Sequence, residues 1–208
     1  MKFQHVVFAG LILPLSACVI AIDGNGPDQG SVSPKTGASD RHGEGRHDPA
    51  AHAADLPAPP SGMDAEATFL GTDGEETGRV IVTDGPLGVL MRVDLSGIAE
   101  GFHGVHLHQV GDCSDPAAGF KASGSHINPA GNAHGLMNED GHELADLPNL
   151  YAHHTGHIRS ELFVHRTTLG QLRDGDGFAV LVHANEDDHV TQPIGGAGAR
   201  IACAAFPG

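Results

Sequence analysis

The sequence predicts an all-β domain, an eight-stranded antiparallel Greek-key barrel or sandwich with long loops. Three observations lead there. From Met63 onward, short stretches rich in Val, Ile, Leu and Thr alternate with turn signals. The chain holds 30 glycines in 208 residues, which implies many tight turns and few helix-friendly runs. The strand spacing is regular up to Val110 and again after Asn149, but residues 111–148 interrupt it without periodicity. A loop of that length inside a compact domain is normally functional.

The elements follow in order. ATFLGTDGEETG, RVIVTDGPLG and VLMRVDLSG read as three strands broken by Gly, Pro and Asp turns, and GVHLHQVGD as a fourth. After the long loop come LYAHHTG, HIRSELFVH, DGDGFAVLVHAN and GARIACAAF, which complete eight. At 39% hydrophobic residues the chain can build one sizeable core, which argues against a disordered protein.

Residues 1–17 read as a secretory signal: a basic start at Met1-Lys2, an apolar stretch from Val6 to Leu15 too short to span a bilayer, then small residues. Leu15-Ser16-Ala17-Cys18 resembles the bacterial lipobox, in which cleavage precedes the cysteine and the thiol carries lipid, here Cys18. Val19 is not the aspartate associated with inner-membrane retention, so the expectation is a periplasmic protein held at the outer membrane by that anchor alone. Residues 18–62 are dominated by Gly, Pro, Ala, Asp and Ser and read as a flexible tether. Within it His42, His47 and His52 either loosely hold a divalent metal or are incidental to a solvated spacer. Residues 63–208 form the globular domain.

With the signal removed and Cys18 carrying lipid, Cys113 and Cys203 remain as thiols, and two thiols in an exported protein read as one disulfide. Closing that 90-residue loop restricts the unfolded chain by roughly 4 to 5 kcal/mol on the entropic account.

The 16 histidines carry the chemistry. His106 and His108 lie two apart on a strand, so they share a face while Val105 and Leu107 face the core. His103, upstream of Gly104, faces the other way and takes a structural hydrogen-bonding role. The long loop supplies His126, His134, His142 and Asp146, a plausible tetrahedral set for zinc. His183 ends the apolar strand FAVLVH, where it can join the His106/His108 face. A site built mainly of imidazoles suits copper. His153, His154, His157, His165 and His189 read as mostly solvated surface residues. There is no nucleophile elbow, no phosphate loop and no Ser-His-Asp set.

The formal net charge is −15, from 11 Lys+Arg against 26 Asp+Glu, which excludes a nucleic-acid partner because nothing here could neutralise a run of phosphates.

HGVHLHQVGDCSD, GSHINP with HG eight residues on, DLPN, LVHAN and GGAGARIAC resemble, in order over about residues 64–206, the copper/zinc superoxide dismutases, in particular their exported bacterial branch. The resemblance implies copper at His106, His108, His126 and His183, zinc at His126, His134 and Asp146, and His126 as the bridge between the metals. It also implies a Cys113–Cys203 disulfide, Arg200 beside the copper, and Asp187 orienting ligands of both metals. The implied reaction dismutes the superoxide anion to dioxygen and hydrogen peroxide, with His126 handling a proton and Arg200 binding the anion. From Asp64 onward 7 basic residues face 20 acidic ones, so Arg200 and Lys121 must attract the anion locally.

One position departs from the family pattern. Where a third zinc histidine is expected, the chain has Glu143, with His142 beside it. His142 shifts into the site, or Glu143 ligates through oxygen, or the site is weak; the first is the expectation. A non-catalytic copper/zinc carrier is the rival reading. Exported relatives include monomers and dimers, so a homodimer stays open.

Overall fold

The computed structural model describes residues 64–208. The signal segment, Cys18 and tether histidines His42, His47 and His52 lie outside the described residues. Nine strands occur among the described residues: β1 (Asp64–Gly71), β2 (Glu76–Gly85), β3 (Gly88–Leu95), β4 (Gly101–His103), β5 (Val105–His108), β6 (Leu150–Ala152), β7 (Ile158–His165), β8 (Phe178–His183) and β9 (Arg200–Phe206). A single-turn helix, α1 (Leu169–Leu172), is capped by Thr168 in a capping box with Gln171.

Seven strands form one antiparallel sheet in the order β5-β8-β9-β1-β2-β3-β7, and β4 pairs with β6. Because β4 leads into β5 and β6 precedes β7, the small sheet ties the two edges of the large one together, a curled Greek-key barrel. The sequence suggests eight strands where nine occur: β4, three residues paired with β6, lies just before the GVHLHQVGD stretch and is too short to show a strand pattern, and Gly104 separates it from β5. A Cβ at Gly104 would lie 2.9 Å from Ala197 Cβ and 3.3 Å from Asp187 Cβ. The backbone there turns toward the loop after β8, Gly104 N–H donating to the Asn185 carbonyl and its own carbonyl accepting from His183 N–H, both at 2.8 Å.

Strand alternation decides the layering. Val105 and Leu107 of β5, Phe178, Val180 and Val182 of β8, and Ala202, Ala204 and Phe206 of β9 point into the barrel, where the Phe178 and Phe206 rings stack at 4.4 Å. The opposite face of β8 is buried too, since Ala179 and Leu181 pack against Cys113, Phe120 and Cys203. That explains why FAVLVH is buried at every position and reads as a continuous apolar run. The Cys113–Cys203 disulfide fastens the loop following β5 to β9, with Cα atoms 5.9 Å apart.

The long loop returns to β5 twice. Ile127 N–H donates to the Leu107 carbonyl (3.0 Å), Leu107 N–H to the Ala145 carbonyl (3.2 Å), and Gln109 N–H to the Ser125 carbonyl (2.9 Å). The edge strand is thereby covered by its own loop, and the polar residues of the loop are laid over the outer wall of the barrel. No helix among the described residues is long and apolar enough to cross a membrane.

Candidate metal centre

His106 and His108 lie on the loop-covered face of β5 and His183 at the end of β8, opposite Arg200 on β9. Their hydrogen-bond partners fix which ring nitrogen is free. His106 Nε2 donates to Asp187 Oδ2 at 2.7 Å, His183 Nδ1 to the Gly198 carbonyl at 3.1 Å, and His108 Nδ1 to the Gly124 carbonyl at 2.9 Å. In each neutral ring the other nitrogen then carries only a lone pair. His106 Nδ1 and His183 Nε2 face each other at 3.2 Å, an approach made favourable by a proton or a metal cation between them.

The buried Nε2 atoms of His108 and His126 have no hydrogen-bond partner. His106, His126 and His183 converge closely enough to hold one ion. His108 lines the same pocket from further out, its ring 5.0 Å from that of His126 and 6.3 Å from that of His183. Burial, with the Arg200 charge adding to it, pushes His108 down to about 2. Burial, with the His106 ring next in effect, lowers His126 and His183 to about 3. These rings therefore stay neutral, with lone pairs available, in ordinary buffers.

A second pocket adjoins the first through His126. Its Nδ1 lies 2.5 Å from Glu143 Oε2, and His134 Nδ1 lies 3.4 Å from Glu143 Oε2 and 2.7 Å from Asp146 Oδ1. His134 Nδ1 and Asp146 Oδ1 are both buried. His126, His134, Glu143 and Asp146 together could hold an ion. Burial works against a charge on His134, but the Asp146 and Asp187 carboxylates overcome it and raise the ring to about 10. The carboxyl of Asp146 is held below its ordinary range: burial alone would raise it, and contacts from His134, Gly135 and Glu143 prevail. Glu143 is raised, first by burial and then by the Asp146 charge.

Asp187 stands between the pockets, accepting from His106 Nε2 and lying 3.2 Å from His134 Nε2. Despite burial its carboxyl is held far down by those two rings and the His189 N–H. Gly195 (φ +60) leaves room for it, because a Cβ there would collide with Asp187 Oδ1 and lie 3.1 Å from His134 Nε2.

Arg200 spreads its guanidinium over the disulfide-bearing loop, donating to the Phe120 carbonyl (2.6 Å), the Gly124 carbonyl (2.9 Å) and Ser123 Oγ (3.1 Å). Its charge acts on the rings of His108, His126 and His183, so it borders the first pocket. Burial lowers its own affinity for the proton. Exposed Lys121 sits in the segment that Arg200 grips.

The residues fit two metals, one among imidazoles and one among imidazoles and carboxylates. A family model for copper/zinc superoxide dismutase matches residues 76–206. The chain belongs to the copper/zinc superoxide dismutase family. It is 43% identical over 146 residues to the Cu-Zn superoxide dismutase of Caulobacter vibrioides, covering 67% of this chain and 83% of that protein. With superoxide dismutase [Cu-Zn] 2 of Aquifex aeolicus it shares 33% over 147 residues, 68% of this chain and 85% of the relative. The crystal structure of a SOD-like protein from Bacillus subtilis superimposes with a TM-score of 0.64 at 28% identity, over 67% of this chain and 96% of that one. The Cu/Zn superoxide dismutase from Brucella abortus gives 0.58 at 26%, over 68% and 98%. The protein is an oxidoreductase that dismutes superoxide, and its metals are copper and zinc.

Not every residue singled out from sequence falls in the superoxide dismutase site. His142 is exposed, its Nδ1 near the Glu143 carbonyl at 2.9 Å, and it belongs to neither donor cluster; Glu143 occupies the pocket instead. Of the two candidates the sequence offered, Glu143 is the one that lies beside His126 and His134. His103 holds β4 to the metal-bearing strand end, its ring nitrogens each 2.8 Å from a carbonyl, of Ala99 and His183. His153, His154 and His165 are exposed. His189 is half-buried and bonded: its backbone N–H donates to Asp187 Oδ1 at 2.6 Å and its ring Nε2 meets Asn149 at 3.2 Å.

Two amide side chains escaped the sequence reading. Asn149 clamps Asp187 from both sides, accepting from its N–H (3.0 Å) and donating to its carbonyl (2.8 Å). Gln192 does the same to His134. A buried-type turn motif such as DLPN was the available signal for the first; Gln192 carries none.

Proposed function

We propose that His106, His108, His126 and His183 hold the copper, that His126, His134 and Asp146 hold the zinc together with one further donor, and that His126 is shared. The observation that carries this reading is the set of ring nitrogens turned toward one pocket, with His106 Nδ1 and His183 Nε2 at 3.2 Å and the Nε2 atoms of His108 and His126 buried without partners. Copper bound among these imidazoles would supply the one-electron redox chemistry that dismutation requires.

The rest is work for side chains. Arg200, its guanidinium immobilised by three oxygens, binds and orients the anion at the pocket mouth. Lys121 beside it draws the anion in over short range, as distant acidic groups are screened within about 8 Å in physiological salt. The ring of His126, which faces both pockets, takes up a proton when the first superoxide leaves as dioxygen and returns it to the second. With one more proton from solvent the second superoxide leaves as hydrogen peroxide, so two anions and two protons give one dioxygen and one peroxide. Asp187, fixed by Asn149, keeps His106 and His134 in their orientations.

The reading extends to the segments before Asp64. Residues 1–17 are a signal peptide, 18–62 a tether lipidated at Cys18, and 63–208 the catalytic domain, placing the enzyme in the periplasm on an outer-membrane anchor. It works there as a monomer or a homodimer, which sedimentation distinguishes. The central test is the dismutation rate of the copper- and zinc-loaded protein beside His183→Ala loaded identically. A fast rate lost in the variant is expected; equal slow rates with copper bound would favour a metal carrier instead.

A further inference from the structure

The identity of the remaining donor of the second pocket is set by the loop that carries it. Asp146 uses Oδ2 to accept from Gly135 N–H (2.7 Å) and Glu143 N–H (2.8 Å), leaving Oδ1 facing His134 Nδ1. Glu143 repeats the arrangement: Asn128 Nδ2 donates to Oε1 at 2.9 Å, leaving Oε2 among His126 Nδ1 and His134 Nδ1. Each carboxylate thus has one oxygen anchored in the protein and one turned inward. Asn132 meanwhile donates to the His142 carbonyl at 2.8 Å and holds that residue's backbone on the outside. Bringing the His142 ring inward would break the Asn132, Asn128 and Asp146 hydrogen bonds together.

We propose that Glu143 is the fourth ligand of the zinc site, making it a centre of two imidazoles and two carboxylates in place of three imidazoles and one carboxylate. The inference rests on the metal assignment above. A carboxylate adds a negative charge and a harder donor than imidazole, so the site discriminates less against cations that favour oxygen, such as Mn²⁺. Asn128 serves as its positioning residue, since it fixes which oxygen is free.

The test is zinc-edge X-ray absorption on the copper- and zinc-loaded protein, in which outer-shell scattering counts the imidazoles on zinc. Two are expected; three would overturn the proposal. In a chelator competition, Glu143→Gln should weaken zinc binding at least about tenfold, His142→Ala should leave it unchanged, and Glu143→His should restore zinc while reducing competition by Mn²⁺. Zinc loss in His142→Ala, or none in Glu143→Gln, would overturn it. The copper electron paramagnetic resonance signal of the same samples separates this outcome from failure of the wider reading: copper coordinated by nitrogen beside a two-imidazole or three-imidazole zinc keeps the enzyme assignment intact, whereas no nitrogen-coordinated copper removes it.

Discussion

Gln192 grips the backbone of His134 at both ends, its Oε1 accepting from the N–H at 2.9 Å and its Nε2 donating to the carbonyl at 2.7 Å. The two residues are 58 positions apart, so a side-chain amide from the loop after β8 fixes a metal-facing residue in the loop after β5. Gln192→Ala removes two hydrogen bonds of about 1 kcal/mol each. The expected result is a lower melting temperature and faster zinc release with copper retained, read by calorimetry and by metal analysis after chelator treatment.

Arg200 and Lys121 are the positive charges the domain places at the pocket, against an acidic remainder. Arg200→Ala is expected to slow dismutation several-fold without loss of copper. Lys121→Glu should slow it at low salt, with the difference shrinking as ionic strength rises past about 0.15 M. Pulse radiolysis across a salt series checks both; parallel salt profiles for Lys121→Glu and the parent protein would exclude local steering.

Stability of the metal-free protein should be greatest near the ordinary imidazole range and fall on both sides. His108, His126 and His183, lowered to about 2, 3 and 3, bind protons more readily unfolded than folded, so stability drops as pH falls below about 6.5 toward 3. His134, raised to about 10, gives a contribution that is full below about 6.5 and lost as pH climbs through 10. Denaturant midpoints of the metal-free protein from pH 4 to 10 should trace that maximum; a monotonic profile would contradict it.

His134 also makes zinc uptake a proton exchange. At pH 7 the metal-free ring is charged, and an ion can bind only as that proton leaves. Zinc added to copper-free protein should release about one proton from this ring, counted by titration calorimetry in buffers of differing ionisation enthalpy.

Gly195→Ala would drive a Cβ into Asp187 Oδ1 at a positive φ, so it should disturb both pockets at once. The expected signature is a joint loss of copper and zinc affinity in a protein whose far-ultraviolet spectrum is unchanged. Loss of one metal alone would show that Asp187 does not couple them.

Much of this was legible in the sequence because strands impose a period of two. His106 and His108 share a face by spacing alone, and Val105 and Leu107 enter the core as that period demands. The choice between His142 and Glu143 was not legible, because adjacent loop residues have no fixed sidedness and the outcome depends on Asn128, Asn132 and Asp146. The short β4 likewise escaped, because it ends at Gly104 for a reason more than 80 residues distant in sequence, the packing of Asp187 and Ala197. Amide clamps such as Asn149 on Asp187 leave no periodic trace at all.

The covering of β5 by its own loop has a consequence for the fate of the protein outside catalysis. β5 ends the large sheet, and the bonds from Ile127 and Ala145 to Leu107 occupy the backbone groups that an edge would otherwise offer to another molecule. The same loop carries His126, His134 and Asp146. With those residues holding the ions as proposed, removal of both metals should loosen the segment that shields the edge, and self-association of the stripped protein should begin at β5.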